Sequence, residues 1–367
     1  MRHLFVDISS HGFGHLAQTA PILNCLGERL PGLRLTVRSA LPRQRIAARL
    51  RLPFEHLDAA SDFGFVMIDP LRIDLAATAE RYRRCHRDWP AAVAEEARQL
   101  REVGADFVLS NASYRPLAGA ALAGIPAAAC CSLNWSELFE HFFGDQAWAP
   151  PIGREIAAAY GSAPFLALQP AMPMAALPSL QRFPPVAERG IDRRAEIEAR
   201  WPAARGRRLV LVGFGGIAMA ADAFDVAAWA RRAREQGTDC CGLVPEGWAA
   251  DDADCLAIDR LGLGFSDLLA SCDAVISKPG YGTFVEAACA GTPVLWLRRA
   301  DWPEQDCLID WLDRHGVARE LPADELAAAE VAAALGELWR RAPPPRPVAD
   351  GAAAVADWLI THGRAGR

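Results

Sequence analysis

Short apolar runs alternate along this chain with Ala-rich amphipathic segments. Apolar runs bounded by turn residues predict buried strands, whereas amphipathic segments predict helices. The first unit is predicted as a strand at His3–Ile8, a glycine-rich turn at residues 9–14, a helix at residues 16–30 and a strand at residues 33–38. Strands and helices that alternate in this way predict an α/β protein built around parallel sheets.

Residues 106–126 and residues 273–293 repeat one order of features. Each segment has an Asp before an apolar strand, then a helical stretch that ends in Ala-Gly, and then a Pro before another apolar run. Glycine after the last helical residue and proline soon afterwards are the usual signals of a helix C-terminus. The repeat predicts two similarly built halves, although ordinary α/β punctuation produces the same order of residues.

A proline-rich stretch divides the chain. Residues 167–185 contain too many prolines for a helix or a central strand. The sequence therefore predicts a first domain at residues 1–166, a linker at residues 167–190 and a second domain at residues 191–345. A final amphipathic helix within residues 350–367 follows another proline-rich break and is free to cross back to the first domain.

Length and charge narrow the classes of function. The 367 residues are enough for two domains of about 150 residues each. The 39 basic and 45 acidic residues give a formal charge of −6 without a basic stripe, so nucleic acid is not an expected partner. The first residues enter strand-like sequence rather than a signal peptide, and no stretch is apolar enough to span a bilayer. These features predict a cytoplasmic, not transmembrane, protein and leave contact with a membrane surface open.

Two glycine-rich turns follow predicted strands of the second half. Their residues are Gly213, Gly215 and Gly216 in the first turn, and Ser277, Lys278, Gly280 and Gly282 in the second. Glycines let backbone N–H groups approach an anion, and the N-terminus of the following helix adds partial positive charge. The two turns therefore predict a phosphate site, with Thr283 as the cap of the second helix.

Three polar residues near these turns have two interpretations each. Glu286 is either the capping-box partner of Thr283 or an acceptor for the two hydroxyls of a ribose. Glu304 and Gln305 follow a predicted strand at residues 294–297, where α/β folds place ligands. They either bind sugar hydroxyls or belong to a solvated loop.

Two of the eight histidines lie in the first glycine-rich turn, at His11 and His15. A histidine at the end of a strand faces the edge where ligands bind, and its neutral imidazole can act as a base. A structural role is the alternative. The clustering favours function, with His15 preferred because it opens the helix.

These segments, in this order, resemble the nucleotide-sugar glycosyltransferases of the GT-B fold. Residues 277–287, 290–293 and 302–305 resemble the donor-binding signature shared by the peptidoglycan N-acetylglucosaminyltransferase and the UDP-glycosyltransferases. The turn at residues 11–15 resembles the glycosyltransferase-like amino-terminal half of plant L-arabinokinases and bacterial predicted glycosyltransferases. The resemblance covers most of the chain and implies two Rossmann-like domains that face each other across a cleft.

The resemblance also implies a role for each matching residue. The implied donor-binding set, which holds the diphosphate, the base, the ribose and the sugar, is Gly215, Gly216, Leu263, Phe265, Ser277, Lys278, Gly280, Gly282, Thr283, Glu286, Glu304 and Gln305. The implied acceptor side is Gly14, Asn111, Asn134 and Trp135, with His15 and His11 as the catalytic candidates. Related sequences often have Asp where this chain has Asn111 and Arg where it has Gln18, which leaves the identity of the base open.

We interpret the chain as a metal-independent, inverting glycosyltransferase that needs no cofactor and uses a UDP- or dTDP-sugar with an unknown acceptor. One alternative is an enzyme of the same fold that gives the sugar to water or epimerises it. Another is a catalytically silent nucleotide-sugar-binding protein, which Asn111 and Gln18 favour. Aromatic residues at positions 135–148 line an acceptor pocket, contact a lipid-linked acceptor or pack in the core, and the core is the favoured interpretation.

Overall fold

The structure is a computed structural model that describes residues 1–215, 226–246, 248, 253–322 and 328–363. Within these ranges no helix is both long and apolar enough to cross a membrane. The described residues form two large parallel sheets, one in each half of the chain.

The first half contains nine of the described strands. In chain order they are β1 (His3–Ile8), β2 (Arg34–Arg38), β3 (Glu55–Leu57), β4 (Met67–Asp69), β5 (Arg72–Ile73), β6 (Phe107–Asn111), β7 (Ala127–Cys131), β8 (Phe165–Leu168) and β9 (Leu180–Phe183). Seven of them pair in parallel in the order β3-β2-β1-β6-β7-β8-β9, and β4 with β5 forms a separate antiparallel hairpin. β1 is buried along its whole length, which is typical of a parallel strand covered on both faces.

Three of the seven helices of the first half begin at a side-chain cap. The seven helices are α1 (Phe13–Arg29), α2 (Arg43–Ala47), α3 (Leu75–Cys85), α4 (Trp89–Val103), α5 (Arg115–Ala123), α6 (Trp135–Phe143) and α7 (Ala149–Gly161). The side chains of Asp74, Asp88 and Asn134 accept hydrogen bonds from the first turns of α3, α4 and α6. Gly124 ends α5 in the left-handed conformation that glycine adopts readily.

The second half repeats the same plan. Its described strands are β10 (Arg208–Val212), β11 (Cys240–Val244), β12 (Cys255–Ala257), β13 (Ala274–Ser277), β14 (Val294–Trp296) and β15 (Ala318–Glu320). Its described helices are α8 (Arg194–Arg200), α9 (Val226–Glu235), α10 (Phe265–Ser271), α11 (Tyr281–Ala290), α12 (Gln305–His315), α13 (Ala328–Leu338) and α14 (Gly351–His362). The strands are parallel in the order β12-β11-β10-β13-β14-β15.

In each sheet the strand order reverses beside the first strand of its half. β1 lies between β2 and β6, and β10 lies between β11 and β13. Ligands of open α/β sheets bind outside the carboxyl ends of the strands at such a reversal. The two reversals therefore define one candidate binding edge in each half.

The segment predicted as a linker, residues 167–190, contains part of the first sheet. β9 pairs in parallel with β8 and forms the last strand of that sheet, because an edge strand tolerates flanking prolines that a central strand does not. The final helix α14 lies against α1, where Asp357 forms an ion pair with Arg29 at 2.7 Å. The chain thus returns to the first domain after completing the second.

The two domains meet where α1 and α11 begin. α1 starts at Phe13, three residues before the predicted start, because Gly12 adopts a φ of 118° that sets the entry of the helix. The N–H of Phe13 donates to the backbone oxygen of Gly215 at 3.2 Å. A Cβ on Gly282, in the first turn of α11, would lie 2.9 Å from the Cβ of Ala17. Contact this close requires glycine at position 282.

Replacing Gly282 by alanine should destabilise the protein although alanine favours helix. The clash with Ala17 is an overpacking that costs about 1–3 kcal/mol, which outweighs the gain of up to about 1 kcal/mol in helix propensity. Gly336→Ala in α13 is the matched control, since its Cβ would lie 3.6 Å from the nearest atom, on Arg340. Urea unfolding should show a loss for Gly282→Ala and a gain for Gly336→Ala. Equal gains in both variants would contradict the close contact.

Candidate active site

His15 and Asn111 meet at the edge of the first sheet. Ile8 at the end of β1 lies opposite Asn111 at the end of β6, and His15 is in the first turn of α1. The His15 Nδ1 lies 2.7 Å from Asn111 Oδ1, and the Asn111 Nδ2 donates to Thr19 Oγ1 at 2.9 Å. Because an amide oxygen only accepts, Nδ1 carries the proton and Nε2 keeps its lone pair. This is the tautomer that a general base needs.

The His15 imidazole is held in its neutral form. Burial lowers its pKa to about 4, and the charge of Lys278 acts in the same direction against the hydrogen bond to Asn111. A group with this pKa is deprotonated at neutral pH. The amide of Asn111 therefore orients the histidine without supplying the charge that a carboxylate would bring.

A hydrogen-bond chain crosses from the first domain to the second. Gln18 donates from Nε2 to Ser132 Oγ at 2.8 Å, and Ser132 donates to Glu304 Oε1 at 2.6 Å. The other oxygen of Glu304 accepts from the Trp302 indole at 3.1 Å. Glu304 is 5% exposed, so it is a buried part of the domain contact rather than a member of a solvated loop.

The two predicted glycine turns adjoin one another at the edge of the second sheet. Ser277 donates from Oγ to the Gly213 backbone oxygen at 2.7 Å, which ties the turns together. A Cβ on either Gly215 or Gly280 would lie 3.7 Å from Nζ of Lys278. Lys278 thus places its amine between the two turns. Gly216 lies outside the described residues.

Phe265, expected together with Leu263 near the nucleotide base, lies beside the first turn. Phe265 is the first residue of α10, and its ring lies 3.0 Å from where a Cβ on Gly213 would be. Both side chains are half-buried. The turn, this ring and the N-terminus of α10 therefore border the same part of the cleft.

Glu286 is engaged by the opposite domain. Its carboxylate is 2% exposed and accepts two hydrogen bonds from Arg49 at 2.5 and 3.1 Å. Glu188 of the connecting segment lies 3.5 Å from the same guanidinium. A ribose at Glu286 would therefore have to replace Arg49.

The capping interpretation of Thr283 and Glu286 is wrong. α11 begins at Tyr281 with Gly280 as its N-cap, so Thr283 is already inside the helix. The Tyr281 hydroxyl accepts from the Val186 N–H at 2.8 Å and donates to the Gln169 carbonyl at 2.9 Å. These bonds hold the start of the helix three residues earlier than a cap at Thr283 predicts.

The amide of Gln305 closes a loop. Its Oε1 accepts from the N–H of Arg299 at 3.1 Å, and its Nε2 donates to the carbonyl of Arg299 at 3.2 Å. Gln305 therefore shapes the segment that carries Arg299 and Trp302, a role that its spacing did not indicate.

Residues expected on the acceptor side divide into structural and cleft residues. Asn134 caps α6, and Gly14 lies in the first turn of α1, close to Gly282. Phe139 and Phe143 pack in a buried cluster, which confirms the core interpretation for these rings. Trp135 differs, because its ring also borders the histidines, 5.4 Å from His11 and 5.9 Å from His15.

Asp62 is a cleft carboxylate that the sequence analysis did not identify. Its Oδ2 accepts from the Trp135 indole at 2.7 Å. Burial, with the charge of Asp7, raises the pKa of Asp62 to about 6 against that hydrogen bond. Asp62, Tyr82, Trp89 and Trp135 help to line a small recess that is partly open to solvent. The Asp-Phe-Gly sequence in a loop was the signal available for it.

His11 contributes an imidazole whose Nε2 has an unusual environment. Its Nε2 is buried and unpaired among the described residues, and its ring stacks on Trp302 at 5.6 Å. Burial, with the charges of Arg299, His15 and Lys278, lowers its pKa well below the ordinary value. His11 is therefore neutral and packed between aromatic rings.

Comparison with known proteins identifies the fold. No family model matches the chain. L-arabinokinase of Arabidopsis thaliana is 25% identical over 321 residues, so 83% of this chain spans only 29% of that protein. The glycosyltransferase VinC in complex with dTDP is 17% identical with a TM-score of 0.59, over 99% of this chain and 95% of its own. Medicago truncatula UGT71G1 complexed with UDP-glucose is 13% identical with a TM-score of 0.61, over 98% of both chains.

The chain has the GT-B fold of these glycosyltransferases. The prediction of two Rossmann-like domains facing across a cleft is therefore confirmed.

Removing Arg49 should cost much more stability than removing its neighbour Arg51. Arg49→Met leaves the buried Glu286 carboxylate without its partner, at a cost of about 3 kcal/mol. The Arg51 side chain is 68% exposed and lies 3.6 Å from Glu188, so Arg51→Met should change stability by less than about 1 kcal/mol. Equilibrium unfolding in urea measures both. Similar small losses would show that the pair with Glu286 does not hold the domains together.

Proposed function

We propose that this protein transfers a glycosyl group from a UDP- or dTDP-linked sugar to an acceptor hydroxyl, without a metal ion and with inversion at the anomeric carbon. The observation that carries the proposal is the meeting of two strand-reversal edges. One edge supplies His15 oriented by Asn111, and the other supplies the glycine turns with Lys278 between them. A base opposite an anion site is the arrangement that glycosyl transfer requires.

The donor would bind along the second domain. Backbone N–H groups at the start of α11 and the amine of Lys278 suit a diphosphate, because both supply positive charge. The half-buried Phe265 beside the first turn suits the base. VinC and UGT71G1 were solved with dTDP and UDP-glucose respectively, which supports a nucleotide-sugar donor.

The acceptor would bind in the first domain. The recess beside Asp62 and Trp135 offers a carboxylate and aromatic faces, which suit a hydroxylated ligand with an apolar face. Trp135 borders both this recess and the two histidines. An acceptor there would present its hydroxyl toward His15.

The reaction would be a single displacement. The acceptor oxygen attacks the anomeric carbon as its proton passes to Nε2 of His15, and the bond from that carbon to the diphosphate breaks. One displacement inverts the configuration. Charge that develops on the leaving diphosphate would be offset by Lys278 and by the N–H groups at the start of α11, which are fixed before the reaction.

Donor binding should be visible as a thermal shift. UDP or dTDP at about 100 times its Kd should raise the free energy of unfolding by about 2.7 kcal/mol and the Tm by about 2–4 °C. EDTA should leave the shift intact. Lys278→Met should reduce it, whereas Arg232→Met, an exposed ion-pair residue on α9, should not. No shift with any nucleoside diphosphate would contradict the donor site.

Changes at His15 and Asn111 should separate catalysis from donor binding. His15→Ala should lower kcat by about 10²–10⁴ and leave donor affinity unchanged, since the donor contacts lie in the other domain. His56→Ala, in β3 with its ring bonded to the Ser39 carbonyl, is the matched control. Near-normal transfer by His15→Ala would indicate that another residue, His11 or Asp62, is the base.

Asn111→Asp should change the pH dependence of transfer. In the native protein the pKa of His15 is about 4, so the imidazole becomes protonated and stops acting as a base only at acidic pH. A carboxylate at position 111 favours the imidazolium, so the acid limb of the kcat profile should move up by about 1–3 pH units. An unmoved limb would show that His15 is not the group that titrates.

Products distinguish this proposal from the two alternatives. Sugar release from the donor without any acceptor would indicate hydrolysis, and an altered donor sugar would indicate epimerisation. Binding of the donor without turnover across an acceptor panel would indicate a nucleotide-sugar-binding protein.

A further inference from the structure

Arg299 is a buried arginine for which the described residues supply little hydrogen bonding. It follows β14, its side chain is 4% exposed, and its guanidinium lies over the Trp302 ring at 3.6 Å. Its Nε has no hydrogen-bond partner among the described residues, and its Nη2 reaches only the sulfur of Met67 at 4.0 Å. Burying an unsatisfied charged donor is unfavourable unless a ligand completes its hydrogen bonds.

The preceding residue, Arg298, is an arginine whose charge is balanced by carboxylates of this chain. Arg298 is 45% exposed and forms ion pairs with Glu320 at 2.9 Å and Asp306 at 3.1 Å. Among the described residues Glu304 is the one acidic side chain that acts on Arg299, and both its oxygens already accept hydrogen bonds from Ser132 and Trp302. Among the described residues, carboxylates therefore pair with Arg298 but not with Arg299.

Lys278 and Arg299 share one buried region. Burial, with the charge of Arg299, lowers the pKa of Lys278 to about 7, while Glu304 acts in the opposite direction. Burial lowers the pKa of Arg299 below its ordinary value as well. Two cations beside one carboxylate leave an excess of positive charge, which an anion would neutralise.

We propose that Arg299 and Lys278 together form an oxyanion site in the cleft, filled by the donor through either its β-phosphate or a carboxylate on its sugar. The inference rests on the proposed function and adds Arg299 to its donor site. Lys278 lies between the glycine turns and Arg299 lies beside Glu304 and Gln305, so the site falls between the expected diphosphate and sugar positions. Both oxyanions of a nucleotide sugar lie within that span.

The test compares Arg299→Gln with the matched control Arg298→Gln. Calorimetry with UMP, UDP, UDP-glucose and UDP-glucuronate, or with the dTMP and dTDP series, measures each affinity. If the β-phosphate fills the site, Arg299→Gln weakens UDP and both sugars by about 10- to 100-fold and leaves UMP nearly unchanged. If a sugar carboxylate fills it, only UDP-glucuronate weakens by that factor. In both cases Arg298→Gln binds like the native protein.

Three results would overturn the assignment. They are unchanged affinities in Arg299→Gln, an equal loss for UMP and UDP, and an equal loss in Arg298→Gln. Failure of the native protein to bind any of these nucleotides would instead overturn the proposed function. Arg299→Lys keeps the charge and should recover part of the lost affinity.

A measurement on the native protein covers the case in which Arg299→Gln does not fold. UDP bound beside Lys278 favours the charged amine, and its own phosphates are already ionised at pH 8, so binding at that pH should take up a proton. Calorimetry in two buffers of different ionisation enthalpy measures that uptake. Binding of UDP without proton uptake would count against the site.

Discussion

The first turns of α1 and α11 lie directly against each other, and the candidate site depends on this contact. It is close because Gly282 has no Cβ to meet Ala17 and because the N–H of Phe13 reaches the backbone oxygen of Gly215. Each helix starts where the strand order of its sheet reverses, so the contact brings the two candidate ligand-binding edges together. His15 on one helix and Lys278 before the other face the same space as a result.

Burial then determines the protonation of the side chains that face this space. It keeps His15 neutral, with its pKa lowered to about 4, and it lowers the pKa of Lys278 to about 7. The site thus combines an uncharged base with cations that lack a matching anion. At the proposed donor site, an incoming diphosphate would raise the protonation of Lys278 and satisfy Arg299, so donor binding would be coupled to the charge of the cleft. The hydrogen-bond chain through Ser132 to Glu304 links the two domains at this edge.

Local pattern predicted the parts of the fold that depend on neighbours in sequence. The strand at His3–Ile8 and the strand predicted at residues 33–38, which the structure has at Arg34–Arg38, follow from apolar runs bounded by turn residues. Contacts between distant residues could not be read in that way. The pairing of Arg49 with Glu286 joins positions in different domains. The start of α11 at Tyr281 likewise depends on a hydroxyl bonded to the connecting segment. The raised pKa of Asp62 and the unpaired Nε of Arg299 among the described residues result from burial, which the local sequence does not report.

Lys278 offers the most direct test of a buried cationic donor site, because it is the only lysine in the sequence. Acetylation by acetic anhydride, followed across pH by mass spectrometry, reports the fraction of neutral amine at this one side chain, with the amino-terminal amine as an internal reference. The account predicts an apparent pKa near 7 for Lys278 and strong protection from acetylation by UDP or dTDP. An apparent pKa near the ordinary value of about 10.4, with labelling unaffected by nucleotide, would contradict it.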